Sequence, residues 1–558
     1  MLEQTYNIRL GIGVIGFCLI TVALIFREGT SAVAAFFLMI GAFLVFFRMG
    51  RKLKRHQNQL EALRGVLVRT QMRIDGIPLG KAARKTYPRP PINSTANDID
   101  LLGPHSILSL LDETLTVESY EKLEREILTP PKTASEILAR QNDVKSLIPI
   151  AGPIFKWIVR CQALNEPLSF VRLTSKLNLL ESRRSIFGTL VYPALIIYLG
   201  AFLGVIAGQL DVDTFGLIWL IFALISLLSC LSHKDSFRLA QDTARDFRPF
   251  LVYIRGIEKF LKLPSNESIS IEVNKSRTLS EALSIQSHPL VFLIVNSLVP
   301  WTHFFSTQYK KAIRSLVIKL PNFSKRAIHF EYNAMLALFH ETMDVVFPEV
   351  RDMGQLEVEG AYHPLLLSSQ RVSNDFSIGK NDRVALITGS NMSGKSTFLR
   401  TIGVNQVLAQ MGAPVCAKKF STGPFRIMSS VRISDTLSDK TSYFYAEVLR
   451  IKAIVDALNE GQKGLVLIDE IFKGTNNNER RIGATGVIEF LLKQNAVSLV
   501  TTHDLELTAL SHSDSKVTNY HFSEGLSAGE YSFSYQIQKG PSPSTNALKI
   551  MKESGLPI

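Results

Sequence analysis

Four cysteines in 558 residues, Cys18, Cys161, Cys230 and Cys416, have no paired spacing. That leaves no basis for a disulfide framework, and Cys18 and Cys230 lie in apolar runs where they pack as small hydrophobes. Charge is scarce as well: 20% of the residues are Asp, Glu, Lys or Arg against 46% hydrophobic, and mean hydropathy is +0.15. The balance is too apolar for an ordinary soluble enzyme, and it excludes a disordered chain. No internal repeat is present. Acidic residues are in deficit, 49 against 62 basic, for a net charge of +13. Such an excess suits nucleic acid, anionic lipid or membrane topology, so its placement decides. Between Arg48 and Arg89 there are 12 basic and 2 acidic residues, and most of the excess sits there, beside an apolar segment.

What the sequence does have is long uncharged runs. Leu10 to Phe26 and Ser31 to Phe47 are separated only by Arg27-Glu28-Gly29-Thr30. Each is about 17 residues, near the lower limit for crossing a bilayer core. Ile186 to Leu210 and Phe215 to Leu231 form a second pair around a short loop with Asp211 and Asp213. Basic residues collect at the opposite ends, at Arg48, Arg51, Lys52, Lys54, Arg55, Arg183, Arg184, Lys234 and Arg238. The positive-inside rule then predicts four transmembrane helices in two hairpins, with the N-terminus and the large polar parts in the cytoplasm. The expected location is a bacterial-type inner membrane, multi-pass. A cleaved signal peptide ending near Ala32-Val33-Ala34 is the bland alternative for the first run. The second apolar run directly behind it, and Glu3 ahead of it, argue against that reading. For the second pair the alternative is a buried hairpin in a soluble core, disfavoured by its length and lack of charge.

Lys52 to Arg73 reads as a basic helix that ends in the extended linker Tyr87-Pro88-Arg89-Pro90-Pro91. Helical spacing of apolar residues follows from Asp98 to Leu147 and again from Phe237 to Phe347. Beyond about residue 351 short apolar runs alternate with helical patterns, which predicts an α/β domain.

The chemistry lies in that domain. Arg383 to Thr388 is a short apolar strand leading into Gly389-Ser390-Asn391-Met392-Ser393-Gly394-Lys395-Ser396-Thr397 and then a helical pattern. This is a P-loop in its strand-loop-helix setting. Backbone N–H groups and the helix N-terminus would hold phosphate oxygens, Lys395 would reach the β- and γ-phosphates of ATP, and Ser396 would ligate Mg²⁺. Gly464-Leu465-Val466-Leu467-Ile468 is an apolar strand ending in Asp469-Glu470. A carboxylate there is costly without a cation, so Asp469 is assigned to the Mg²⁺ shell and Glu470 to the attacking water. Val497 to Thr502 is a further strand, ending at His503, a candidate γ-phosphate sensor whose bland reading is a histidine satisfied at a strand end. Together these predict Mg²⁺-dependent ATP hydrolysis.

The order of motifs resembles the ATPase domain of the MutS DNA mismatch repair family. That family has a P-loop of the form Gly-x-Asn-Met-x-Gly-Lys-Ser-Thr, here Gly389 to Thr397, then Ser-x-Phe-x-x-Glu, here Ser442 to Glu447. Asp469-Glu470-Ile471, Gly474-Thr475 and Thr502-His503 continue the pattern. The resemblance implies that Ser442 reaches a nucleotide bound by a second subunit, and hence a head-to-tail homodimer. Asp98 to Gly103, Ser109 to Thr114 and Ala139-Arg140-Gln141 look like the start of the family's helical lever domain, and His363-Pro364 like the entry to its ATPase domain. The organisation expected is a transmembrane hairpin (1–50), a basic juxtamembrane helix and linker (51–88), a first lever part (89–185), a second hairpin (186–233), a second lever part (234–350) and the ATPase domain (351–558). The fold class is an α/β P-loop NTPase, ABC-type as in MutS, behind an all-α region with four transmembrane helices.

The chain also departs from the family. There is no room for the mismatch-reading domain with its Phe-x-Glu wedge, and the second hairpin stands where the DNA clamp would be inserted. Beside that resemblance, the expectation here is an ATPase domain without the family's C-terminal helical extension. Phe472-Lys473 replaces Gly-Arg, and Asn476 to Arg480 lacks Asp-Gly. The aromatic that stacks on adenine is lost near Arg371 or Val372; Tyr535, alternating with Tyr531 and Phe533, could stack on the base or pack in the core. Two function classes follow. One is a membrane-anchored MutS-like ATPase switch, with DNA engaged without mismatch readout and membrane lipid met by the basic stretch. The other is an ATP-driven transporter or membrane signalling switch without DNA. Against transport, no Leu-Ser-Gly-Gly-Gln signature precedes Asp469, and the four runs carry no internal charge.

Overall fold

The computed structural model describes residues 29–79, 86–92, 94–129, 133–164, 168–178, 186–231, 233–284, 289–352, 354–390, 392–432, 443–473, 475–527 and 530–542. Its helices of eight residues or more begin with α1 (Gly29–Asp75), α2 (Val117–Leu128), α3 (Ala134–Leu147), α4 (Ala151–Gln162) and α5 (Phe170–Asn178). Next come α6 (Ile186–Ile206), α7 (Val212–Leu231), α8 (Lys234–Leu261), α9 (Ser270–Ser284), α10 (Pro289–Leu298) and α11 (Trp301–Thr342). The last three are α12 (Lys395–Gln410), α13 (Tyr443–Asn459) and α14 (Asn477–Leu492). The chain forms two compact units, one within Met1–Val68, Lys156–Leu168 and Arg172–Lys319, the other within Arg69–Phe155, Ser169–Val171 and Leu320–Ile558.

The first unit is helical. The indole of Trp157 lies where a Cβ on Gly256 would fall, 2.0 Å from its Nε1, so α4 and α8 approach closely only because residue 256 has no side chain. Tyr253 and Phe260 flank the same indole at 5.3 and 5.8 Å between ring centroids. Glu258 Oε1 accepts the N–H groups of Ile269 and Ser270, and so caps the start of α9 from within α8. In the hairpin α6–α7, only 6% and 28% of the apolar stretches Gly188–Ile206 and Val212–Leu231 is buried. A core helix of a soluble protein would be mostly covered, whereas Ile196, Leu203 and Leu217 are more than half exposed. These are the two helices, among the described residues, long and apolar enough to cross a membrane. Of the four that the sequence leads one to expect, these are the second pair. Leu10 to Phe26 lies outside the described residues. Ser31 to Phe47 is the start of α1, which runs unbroken through the basic residues to Asp75.

In the second unit, β1 (Glu349–Val350), β2 (Leu356–Ala361), β3 (Asn374–Ile378) and β5 (Lys419–Thr422) form a sheet in the order β1-β5-β2-β3. β4 (Val384–Thr388), β6 (Arg426–Ser430), β7 (Gly464–Ile468), β8 (Ala496–Thr501), β9 (Val517–Ser527) and β10 (Glu530–Lys539) form another, ordered β10-β9-β4-β8-β7-β6. All its pairings are parallel except β9 with β10. β4, β7 and β8 are buried along their whole length, as their largely apolar sequence suits strands covered on both faces. Val384 and Leu386 face α13 and α14 through Ile454 and Ile488, and Ala385 and Ile387 pack with Leu399 and Ile402 of α12. The sheet therefore has helices on both sides. The end of α1 also belongs here. Arg69 and Arg73 pair with Glu113 at 2.8 and 2.7 Å, with little exposure, so two cations of the basic stretch are neutralised internally.

Candidate functional site

The P-loop shape follows from two glycines. Gly389 has φ 141° and Gly394 φ 105°, values that L side chains rarely adopt, and a Cβ on Gly389 would stand 2.9 Å from Ser393 Oγ. Lys395 opens α12 and is 2% exposed; its Nζ donates to the carbonyls of Gly389 and Ser390 at 2.8 and 2.7 Å. Ser393 Oγ donates to the Ser390 carbonyl, which braces the loop across three residues. Ser390 Oγ is buried with no hydrogen-bond partner among the described residues. A buried ammonium on carbonyls, an orphaned hydroxyl and a helix N-terminus make a donor set suited to phosphate oxygens. Ser396 and Thr397 line the adjoining cavity, of about 600 Å³, with Met392, Gly394, Phe398 and Thr401 on one side and His363, Leu366, Gln370 and Val372 on the other. Asn391 and Ser442 lie outside the described residues.

Tyr535 also lines this cavity, but the plain alternation expected of its strand is corrected. The pairing of β9 with β10 shifts between Phe533 and Ile537, and Tyr535 has φ 53°. Asn374 produces the bulge: its Nδ2 donates to the Tyr535 carbonyl at 3.0 Å and its Oδ1 accepts the Ile537 N–H at 2.7 Å. The ring is thereby turned against the P-loop, 3.2 Å from where a Cβ on Gly394 would sit. Arg371 is engaged elsewhere, donating to the Leu366 and Pro364 carbonyls.

Two strand ends away in the sheet lies the acidic pair. Thr501 Oγ1, at the end of β8, donates to Asp469 Oδ1 at 2.6 Å and accepts the Glu470 N–H at 2.8 Å. One hydroxyl thus clamps both acidic residues. Glu470 has φ 53° and Phe472 φ 56°, a tight turn of non-glycine residues. Glu447, buried on α13, accepts the Phe472 N–H and holds the far side of that turn. The Glu470 carboxylate receives His503 Nε2 at 2.7 Å and Lys473 Nζ at 2.6 Å. The hydrogen bond from His503, with Lys473 adding to it and burial opposing, holds its carboxyl down at about 2. These partners therefore favour the ionised form of the Glu470 carboxylate. Among the described residues no three His, Cys, Asp or Glu cluster as a metal site. One carboxylate with a P-loop hydroxyl is the sparse donor set that suits Mg²⁺, whose other places phosphate and water fill.

A further network reaches the site from the N-terminal side of the same unit. Asp98 is fully buried and accepts Ser429 Oγ at 2.6 Å, the N–H groups of Val431 and Arg432, and the Arg450 guanidinium. Asp100 pairs with Arg432 at 2.6 Å and with Arg400 of α12 at 3.8 Å. Sequence reasoning missed Thr501, the support given by Glu447 and this aspartate network. The available signals were the Thr-Thr before His503, the Glu of the Ser-x-Phe-x-x-Glu segment and the two aspartates of Asp98-Ile99-Asp100.

Comparison with known families bears on the C-terminal part of the chain. Residues 385–558 match the family model of MutS domain V. The matched stretch begins within β4 and takes in the P-loop, the acidic turn and His503, so this region is similar to the ATPase domain of the MutS family.

Proposed function

We propose that the chain is a membrane-anchored, MutS-like ATPase in which ATP binding and Mg²⁺-dependent hydrolysis drive a switch between paired copies. The observation that carries this reading is one sheet edge bearing three things: the P-loop with buried Lys395 after β4, His503 after β8, and the clamped Asp469-Glu470 pair after β7. Bound ATP and Mg²⁺ supply the phosphoanhydride to be cleaved and the cation that neutralises charge on it. Lys395, Ser390 and the loop N–H groups bind phosphate; Ser396 and Asp469 hold the cation. Glu470, ionised, keeps lone pairs beyond those taken by His503 and Lys473, and with them orients the attacking water. Tyr535 offers its ring to the base. Ser442 completes the site of a second copy, which makes a homodimer the working form.

Exposure of α6 and α7 supports a membrane anchor, with the ATPase domain on the cytoplasmic side of a bacterial-type inner membrane. DNA, where engaged, is held by backbone charge or shape without mismatch readout, and such binding weakens steeply with salt. Lys395→Ala is expected to weaken binding of ATP. Glu470→Gln is expected to retain ATP while turnover falls on the order of 10²-fold or more. Turnover unchanged by both substitutions would assign the activity to a contaminant. Single cysteines at Asp211 and Ser513 test the topology: the first should label from outside the cell and the second should be protected. Titrations with perfect and mismatched duplexes at two salt concentrations test the DNA reading, and a salt-resistant preference for the mismatch would overturn it.

A further inference from the structure

The end of α1 packs against the backbone of a segment that lines the nucleotide cavity. The helix stops at a left-handed Gly76, φ 71°, where the N–H groups of Gly76 and Ile77 return to the carbonyls of Arg73 and Met72 at 3.1 and 2.7 Å. This is a Schellman turn, and it fixes where the following backbone goes. The Arg69 and Arg73 pairs with Glu113 pin the last turns of the helix from one side. On the other side the contact is backbone against backbone: a Cβ on Gly76 would fall 1.9 Å from the carbonyl oxygen of Leu366 and 2.9 Å from the N of Leu367. Leu366 itself lines the cavity, together with His363 three residues before it. The stretch between them is tied in place, with His105 Nε2 at 3.0 Å from the Leu365 carbonyl and Arg371 Nε donating to that of Leu366. The three atoms nearest the Cβ position on Gly76 are all backbone.

We infer that the Gly76 turn is a coupling point through which α1, the helix bearing the apolar run Ser31 to Phe47, and the nucleotide cavity bias one another. A shift or rotation of α1 displaces the Leu366 peptide toward or away from the cavity. Nucleotide that fills the cavity restrains the same peptide and through it the helix end. Because such coupling is a free energy shared by two sites, it acts equally in both directions. The helix is continuous over Gly29–Asp75, so the apolar run and the Gly76 turn belong to one element. This inference rests on the reading of the cavity as a nucleotide site, and it assigns that site a regulator, the position of the apolar helix.

The test uses the full chain in lipid nanodiscs with a fluorescent ATP analogue and Mg²⁺. Gly76→Ala is expected to weaken binding on the order of tenfold, the usual span of site-to-site coupling. Gly461→Ala is the control, since Gly461 has φ 80° but nothing within 4 Å of its Cβ position, and binding there should match the unaltered protein. Hydrogen exchange on the Glu470→Gln protein gives a readout that needs no substitution in the turn: ATP should slow exchange over residues 69–79. Equal binding by Gly76→Ala, or exchange at 69–79 unmoved while the P-loop is protected, would overturn the coupling and leave the nucleotide site standing. No analogue bound by the unaltered protein, and no P-loop protection, would overturn the nucleotide reading itself.

Discussion

Two strand ends of one sheet make the same kind of sharp turn by opposite means. After β4 the left-handed positions are Gly389 and Gly394, residues for which that conformation carries little strain. After β7 they are Glu470 and Phe472, for which it is costly, by about 1–3 kcal/mol each. The P-loop shape is thus largely intrinsic to its own residues, with Ser393 and Lys395 bracing it from within. The acidic turn is imposed from outside, by Thr501 on β8 and Glu447 on α13. On the proposed function, the side that would hold phosphate is preformed, and the side that would aim the water depends on neighbours remote in sequence. Substitutions in supporting residues should therefore affect turnover at the acidic turn and binding at the P-loop.

Thr501→Val breaks this comparison most severely. It keeps the shape of the side chain but removes the acceptor of the Glu470 N–H and the donor to Asp469 Oδ1. Turnover should fall on the order of 10²-fold, in the range seen when one positioning hydrogen bond in an active site is lost. The dissociation constant for ATP should change far less, because the P-loop is untouched. Single-turnover kinetics beside a binding titration would separate the two. A variant with normal turnover would mean that the acidic turn supports itself.

Gly394→Ala is the counterpart on the other strand, with a smaller effect of opposite kind. The new Cβ must adopt φ near 105° and stand 3.2 Å from Tyr535 Cδ1. Strain of that order weakens ATP binding about tenfold while bound nucleotide is still hydrolysed at a similar rate. Because Tyr535→Ala removes the ring offered to the base, the comparison is made in that background: there Gly394→Ala should weaken binding less than in the unaltered protein, by the part due to φ alone. No further loss in that background would show that the ring, and not the backbone, governs this position.

The same contrast explains what was legible in the sequence. Glycine identity encodes backbone conformation locally, so the P-loop and its Lys395 could be read directly, as could β4, β7 and β8 from their largely apolar runs. Thr501 could not, because its role depends on register: the pairing of Ile468 with Val500 sets it beside Asp469, 32 positions away in sequence. Tyr535 reads as part of an alternating strand, and the bulge that turns it to the cavity comes from Asn374, 161 positions earlier. Composition also hid the division of labour along the basic stretch. Arg69 and Arg73 look like Lys52 or Arg55 in sequence, yet only the former pair have Glu113 against them.

The smallest effect concerns how the borrowed support tunes the base. Glu470 has its carboxyl held at about 2, below the ordinary 4.5, first by the hydrogen bond from His503 and then by that from Lys473, with burial opposing both. A depressed carboxylate stabilises the fold above its unfolded value and loses that contribution as pH falls through its folded one, here between 4.5 and about 2. In the unaltered protein, then, Glu470 stays ionised from pH 8 down to 5 and should impose no acid limb on turnover there. Replacing His503 by Ala together with Lys473 by Ala leaves burial as the dominant influence, which pushes the carboxyl back to or above its ordinary range. An acid limb should appear between pH 6 and 5 in the double variant, read from turnover at saturating ATP across that interval. Since an ionised Glu470 remains available at pH 8, turnover there should fall only a few-fold, by loss of orientation. A flat profile in the double variant would show that the acidic turn keeps its carboxylate ionised without these partners, and the contrast with the self-contained P-loop would narrow to geometry alone.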